Sequence, residues 1–318
     1  MATAVDPIEE GLHAAGDDVD WQESVYLAWY DANAGLGGNH RVGIEPNRST
    51  ANLWCGVYHA SGRRYRHNGE DLPLEQLDVP GLGAGPQRLF HDGDRLRFVL
   101  EGDGCRVDLE IDDDVSTLAW AGDTAFAGSD GVAGTIFSTN YHAYCRARGT
   151  VALGDGTVEV DARAWRDHSW GVRRWDSFLA SRSFCGEHGS LRFRYGSMLG
   201  RSGSLMRRGG LVRDGEDLEV ASASMVVGLD DDSMRCPYAE VRYDLADGTT
   251  TVVRVDTIGG MVGATRERYG WESVGGASVG GEPGGWAYLE VNNNPRAGTA
   301  PPVSALGDGL VNGLVECS

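Results

Sequence analysis

Residues 165–175 of this 318-residue chain read Trp-Arg-Asp-His-Ser-Trp-Gly-Val-Arg-Arg-Trp, its densest mixture of titratable and aromatic side chains. Within this stretch Arg166-Asp167-His168-Ser169-Trp170-Gly171 is the segment best equipped for chemistry. On a β-strand successive side chains point to opposite faces, so Asp167 and Ser169 share one face while His168 and Trp170 share the other. A histidine beside a tryptophan can line an apolar cavity as its single proton donor. Asp167 then orients it from behind or holds an arginine. Burial disfavours charge, which lowers a histidine's pKa and raises an aspartate's. Either group can thereby become a general acid or base near neutral pH. The structural alternative makes Trp165, Trp170 and Trp175 core residues, with Asp167 paired to Arg173 or Arg174 at a corner.

Further candidates stand among aromatics: His142 in Asn-Tyr-His-Ala-Tyr, His59 in Val-Tyr-His, and Trp54 and Tyr58 on one apolar run. All four can face a pocket, although a satisfied structural role is the commoner use of such histidines and core packing the commoner use of such aromatics. His13, His40, His67, His91 and His188 lie in polar turns or tails and are expected to be solvated. The cysteines at 55, 105, 145, 185, 236 and 317 are dispersed, with no C-x-x-C and no Cys/His spacing of a metal site. They read as buried reduced thiols of a cytoplasmic protein, and neither a metal nor a cofactor is expected. No phosphate loop, dinucleotide fingerprint, nucleophile elbow or H-e-x-x-H helix is present.

The elements that must position these groups are strands. Glycine is abundant at 47 residues and proline modest at 10, a balance suited to many short strands joined by turns. Strand patterns occupy 24–30, 41–44, 51–59, 88–90, 96–100, 107–111, 150–153 and 158–162, and then 177–184, 191–198, 218–229, 239–245, 250–255 and 286–291. Hairpin signals fall at 101–104, 154–156 and 247–248. The segment 71–77 reads as a short helix, 121–134 as a loop, and the glycine-rich runs at 35–38 and 271–284 as turns. One helical turn is expected around 8–13. No helix is long enough for a parallel crossover, so the fold class is all-β with antiparallel barrels or sandwiches. The expected division is a polar tail at 1–20, one β domain at 21–164 and a second at 165–318. That division sets the central motif where two barrels meet, a favoured place for a ligand pocket.

A net charge of −19 and a pI near 4.7 argue against nucleic acid and anionic membranes as partners. Arg192, Arg194, Arg201, Arg207 and Arg208 make the middle of the chain more basic. They are expected on solvated strand faces, with a site for an anionic head group as the second reading. The acidic first 20 residues hold no apolar run, so neither a signal peptide nor a stable membrane insertion is expected.

The Arg-Asp-His-Ser-Trp-Gly string, followed by arginine and tryptophan, resembles the hallmark of a bacterial family related to carotenoid 1,2-hydratases (hydroxyneurosporene synthases) and AttH-like proteins. The likeness extends through Trp21-Gln22-Glu23-Ser24, Gly37-Gly38, Pro46-Asn47, Asn140-Tyr141-His142 and the strand ending at Glu290. It implies two consecutive lipocalin-like antiparallel β-barrel domains without metal or organic cofactor. It also implies acid–base chemistry on a C=C bond of a lipophilic small-molecule substrate, isoprenoid, steroid or polyketide-like. Fungal lipocalin-like Diels–Alderases are more distant relatives by fold. The hydratases' His-x-Trp pair matches His168 and Trp170. Their Tyr-x-Asp pair matches Tyr195 only in its tyrosine, because Ser197 stands where the aspartate would be. The resemblance therefore implies Asp167, His168 and Tyr195 as catalytic, with Trp170, Trp175, Ser197, His142, Trp54 and Tyr58 lining the substrate. Loss of the carboxyl at 197 leaves three readings: a lyase or isomerase using Asp167, a non-catalytic carrier, or a pericyclase whose cavity merely folds its substrate.

Overall fold

The computed structural model describes residues 11–113, 139–230, 235–264, 269–293 and 311–315. The first run of strands is β1 (Trp21–Asp31), β2 (Leu36–Glu45), β3 (Thr50–His59), β4 (Arg64–Pro73), β5 (Gly81–Ala84), β6 (Gln87–Asp92), β7 (Arg95–Gly102), β8 (Cys105–Asp113), β9 (Thr139–Leu153) and β10 (Gly156–Val172). The second is β11 (Phe178–His188), β12 (Leu191–Gly200), β13 (Leu205–Arg213), β14 (Glu216–Leu218), β15 (Val220–Val227), β16 (Tyr238–Leu245), β17 (Thr250–Ala264), β18 (Tyr269–Val279) and β19 (Glu282–Asn293), followed by β20 (Gly313–Val315).

Two antiparallel sheets result. One runs β20-β4-β3-β2-β1-β10-β9-β8-β7-β6-β5 and the other β14-β13-β12-β11-β19-β18-β17-β16-β15. Each curls towards closure. The Gln87 amide on β6 donates to the Arg41 carbonyl on β2, and Gly209 on β13 comes up against Ala223 on β15. The chain is thus all-β with two lipocalin-like barrels, as the sequence implied.

β1 explains how the barrels are joined. Val25, Leu27 and Trp29 enter the first core with Val42, Leu53, Phe98 and Leu109. Tyr26 and Ala28 point the other way, joining Trp54 and Tyr58 against Cys185, Met261, Val274, Trp286 and Tyr288 of the second sheet. A strand covered on both faces reads as a continuous apolar run rather than an alternating one, which is how 24–30 reads. Phe184, Phe193, Tyr243, Val255 and Leu289 fill the second barrel.

Several expectations change. The division between 164 and 165 falls inside β10, which stays in the first sheet through Val172, and β20 returns to that sheet beside β4. The 71–77 helix does not form: β4 continues to Pro73, pairing with Thr50 across a bulge where Asp71 takes φ 51, and 74–77 is irregular. The glycines at 37, 38 and 270–276 are strand rather than turn. A Cβ at Gly37 would stand 2.5 Å from Val274 of the second sheet, so close approach explains this glycine. The described part of the N-terminal tail is anchored. Asn47 donates to the carbonyls of Gly16 and Asp18 at 2.6 and 2.8 Å. No helix is seen at 11–13, while 8–10, the 121–134 loop and Cys317 lie outside the described residues. No helix among the described residues is long and apolar enough to cross a membrane.

Candidate functional site

β10 carries the central motif between β1 and β9, with His168 opposite Val25 and Tyr141, and Asp167 opposite Tyr26 and His142. Strand alternation sends His168 and Trp170 to one face and Asp167 and Ser169 to the other, as expected. The consequence is two polar clusters, one within the first barrel and one between the sheets.

On the first-barrel side, His168 Nε2 meets Glu23 Oε1 at 2.9 Å, with side chains only 3% and 1% exposed. Glu23 comes from β1 and also takes His13 Nδ1 at 2.8 Å and the His13 backbone N–H at 3.1 Å. The His13 ring stacks on Trp170 with centroids 3.7 Å apart and planes 7° off parallel. Trp170 and Tyr141 present edges or faces to His168 at 5.2 and 5.6 Å. Arg166 donates to the Tyr141 hydroxyl at 2.8 Å. With Nε2 committed to Glu23, His168 Nδ1 makes no hydrogen bond to the described residues. This is a histidine oriented by a buried carboxylate inside aromatic walls, the arrangement that lets an imidazole take and return a proton. The donor atoms of His13, Glu23 and His168 lie within 4.8 Å of one another, so the trio also has the composition to chelate a divalent transition metal.

On the opposite face, Asp167 Oδ2 meets His142 Nε2 at 2.8 Å, and the Ser169 hydroxyl donates to Oδ1 at 3.0 Å. Arg194 of the second sheet reaches His142 Nδ1 at 3.3 Å, completing a link between barrels. Burial opposes the charged form of Asp167. The His142 contact, Arg173 and Ser169 outweigh it and hold the carboxyl below its ordinary range. The rise expected from burial alone is therefore reversed, since the group is partnered.

A second carboxylate stands nearby in the same interface. Glu272 of β18 is fully buried and accepts the Tyr26 hydroxyl at 2.7 Å, Trp54 Nε1 at 2.8 Å and Asn39 Nδ2 at 2.9 Å. Tyr58 donates to the Asn39 side-chain oxygen. Trp54 and Tyr58, expected to line the substrate, thus pack in the contact between the sheets. Trp175 lies at the strand's end, donating to Gln22 at 3.2 Å beneath the Arg173 guanidinium. Tyr195 and Ser197 sit on β12 in the second sheet, lining a cavity of about 470 Å³ with Arg182. The structure therefore groups His168 with Trp170, and Asp167 with His142, and sets Tyr195 and Ser197 apart from both.

Three further positions differ from the solvated or unremarked roles expected of them. His13 covers the Glu23–His168 pair. His40 is 2% exposed and accepts from Trp29 Nε1 at 2.9 Å, and burial pulls its pKa down to about 3. Arg194 is buried at the interface. Glu23 and Glu272 escaped selection, although each is an acid set within an apolar strand, in Trp-Gln-Glu-Ser and Trp-Glu-Ser. A charge inside a doubly covered strand must find partners, and that was the available signal.

The profile of the family described as Domain of unknown function (DUF7064) matches residues 6–295. A comparison with curated proteins gave no match. Among solved structures, an AttH-type protein from Nitrosomonas europaea is similar at 11% identity, with 91% of this chain and 97% of that one covered and a TM-score of 0.63. Kievitone hydratase from Nectria haematococca is similar at 8% identity over 94% and 95% of the two chains, with a TM-score of 0.62. CghA with Sch210972 follows at 8% identity over 91% and 95%, with a TM-score of 0.56. Likenesses at these identities show the shared two-barrel fold.

Proposed function

The chain belongs to the DUF7064 family, and we propose that it is a cofactor-independent lyase or isomerase moving a proton at a C=C bond of a lipophilic substrate. The observation carrying this reading is the buried Glu23–His168 couple at 2.9 Å beneath Trp170 and Tyr141. With Ser197 in place of a carboxyl on β12, the acid in this reading is His168 itself, charged and oriented by Glu23 of β1. In this mechanism Glu23 holds Nε2–H and stabilises the imidazolium. Nδ1–H protonates the alkene, leaving a carbocation that the aromatic faces stabilise by up to about 2 kcal/mol in a desolvated site. Water then adds to the cation and surrenders a proton to Nδ1, regenerating the acid. Loss of a neighbouring proton instead gives isomerisation, and the reverse sequence gives dehydration.

The fold shared with a kievitone hydratase supports hydration chemistry, and the motif's resemblance to carotenoid hydratases supports an isoprenoid substrate. Buried thiols at Cys55, Cys105, Cys145, Cys185 and Cys236 support a cytoplasmic location. Asp167, tied to His142, is assigned to holding the barrels together.

The test begins with native mass spectrometry of gently purified protein to find a copurifying lipophile. That molecule and a panel of isoprenoid, steroid and polyketide alkenes are then incubated in heavy water. Carbon-bound deuterium that persists after EDTA treatment is the expected result. Binding without exchange points to a carrier, and cyclisation without exchange to a pericyclase. Exchange abolished by EDTA and restored by zinc would assign His13, Glu23 and His168 to a metal instead.

A further inference from the structure

We propose that the open end of the second barrel binds an amphiphile with a carboxylate head group, at a site separate from the Glu23–His168 couple. The cavity of about 470 Å³ lies within the range of small-molecule sites. Its walls include Leu199, Met225 and Val291, with polar groups from Tyr195, Ser197 and Arg182. At the rim Leu205 and Leu229 are 50% and 61% exposed, an apolar entrance of the kind that marks binding surfaces.

Arg182 supplies the chemical identity of the head group. Its Nη1 donates to the Ser181 and Asn292 carbonyls at 2.7 and 2.8 Å, which fixes the guanidinium against the wall. Nε and Nη2 bond no described residue. No aspartate or glutamate lines the cavity among the described residues. Arg97, Arg146, Arg242 and Arg254, by contrast, each hold a carboxylate. The titratable neighbours acting on Arg182 are Cys236 and Tyr195, and burial lifts the Cys236 thiol to about 12. Among the described residues no carboxylate pairs with the guanidinium. Arg207, exposed and paired in register with Ser197, adds a second cation to the lining. A guanidinium whose Nε–H and Nη2–H edge is unused matches a carboxylate's two oxygens, and the apolar walls suit a single alkyl or isoprenoid tail.

The experiment titrates the full chain with cis-parinaric acid, following its fluorescence, and displaces it with laurate, dodecanol or dodecyl phosphate. One probe per chain should bind, and laurate should compete about tenfold or more better than dodecanol, as one charge-assisted contact predicts. Laurate should also outcompete dodecyl phosphate. Arg182→Met should erase the preference for acid over alcohol, and Ser197→Trp should remove binding of both. Glu23→Gln should bind laurate as the wild type does, which keeps failure of the proton-transfer reading separate from failure of this one. Equal competition by dodecanol in the wild type, stronger competition by dodecyl phosphate, or intact binding in folded Ser197→Trp would overturn the proposal. The wild-type comparison decides the head group even if Arg182→Met folds poorly.

Discussion

Two carboxylates on opposite faces of adjoining strands divide the labour around His168. Glu23 meets the imidazole from β1, whereas Asp167, its neighbour in sequence, faces away and holds His142. Glu23→Gln keeps an acceptor for the two histidines but removes the charge that stabilises an imidazolium. Turnover is expected to fall about 10²–10⁴-fold, the usual worth of positioned acid–base catalysis, well beyond what the loss of the buried pair costs in stability. Steady-state kinetics beside thermal denaturation checks this. Asp167→Asn should act on stability instead, costing about 1–3 kcal/mol, the scale of a charged hydrogen bond, read by urea unfolding. The sign with pH follows from the lowered pKa of Asp167. Its contribution is present above the ordinary carboxylate pKa, is lost as pH falls through the lower folded value, and disappears in the variant. At this scale the motif and its facing were legible, because strand alternation is strict. The partner was not, because Glu23 and His168 are 145 residues apart in the chain and meet only through strand pairing.

Among the elements, β2 shows how a glycine run can be a strand. A Cβ at Gly38 would lie 2.9 Å from both Trp29 Nε1 and His40 Nε2, so this glycine leaves room for the hydrogen bond between them. Glycine content pointed to a turn because propensity records what a residue permits and not what packs over it. The same burial makes His40 a pH sensor of stability. It stays neutral in the fold down to about pH 3 but takes a proton near pH 6.5 when unfolded. Stability is therefore full above the unfolded pKa and declines as pH falls from 6.5 towards 3, by up to about 5 kcal/mol at roughly 1.4 kcal/mol per unit. Urea unfolding across this window should show the decline, and His40→Gln, which retains an acceptor for Trp29, should flatten it. Most strands and hairpins were readable from alternation and turn residues. The helix expected at 71–77 failed because pairing with β3 captured its first residues.

For the whole molecule, the contact between sheets is a polar core as well as an apolar one. Glu272 of the second sheet gathers three donors from the first, on Tyr26, Asn39 and Trp54. Glu272→Ala strands these donors in a buried interface and should cost about 3–5 kcal/mol, the usual consequence of breaking a buried charged network. Calorimetry should show unfolding at lower temperature than in the wild type. Two barrels were legible from strand count and resemblance. Their joint was placed within β10 because the motif looked like a boundary, whereas in space it belongs to the first sheet and touches the second through one face. The central claim, that His168 transfers a proton to substrate carbon, is tested most directly by deuterium incorporation in heavy water by His168→Gln. Glutamine can still donate to Glu23 but has no counterpart of Nδ1. The account predicts that this variant folds as the wild type does, binds the lipophile, and incorporates no deuterium above the uncatalysed rate. Incorporation at the wild-type rate would contradict it.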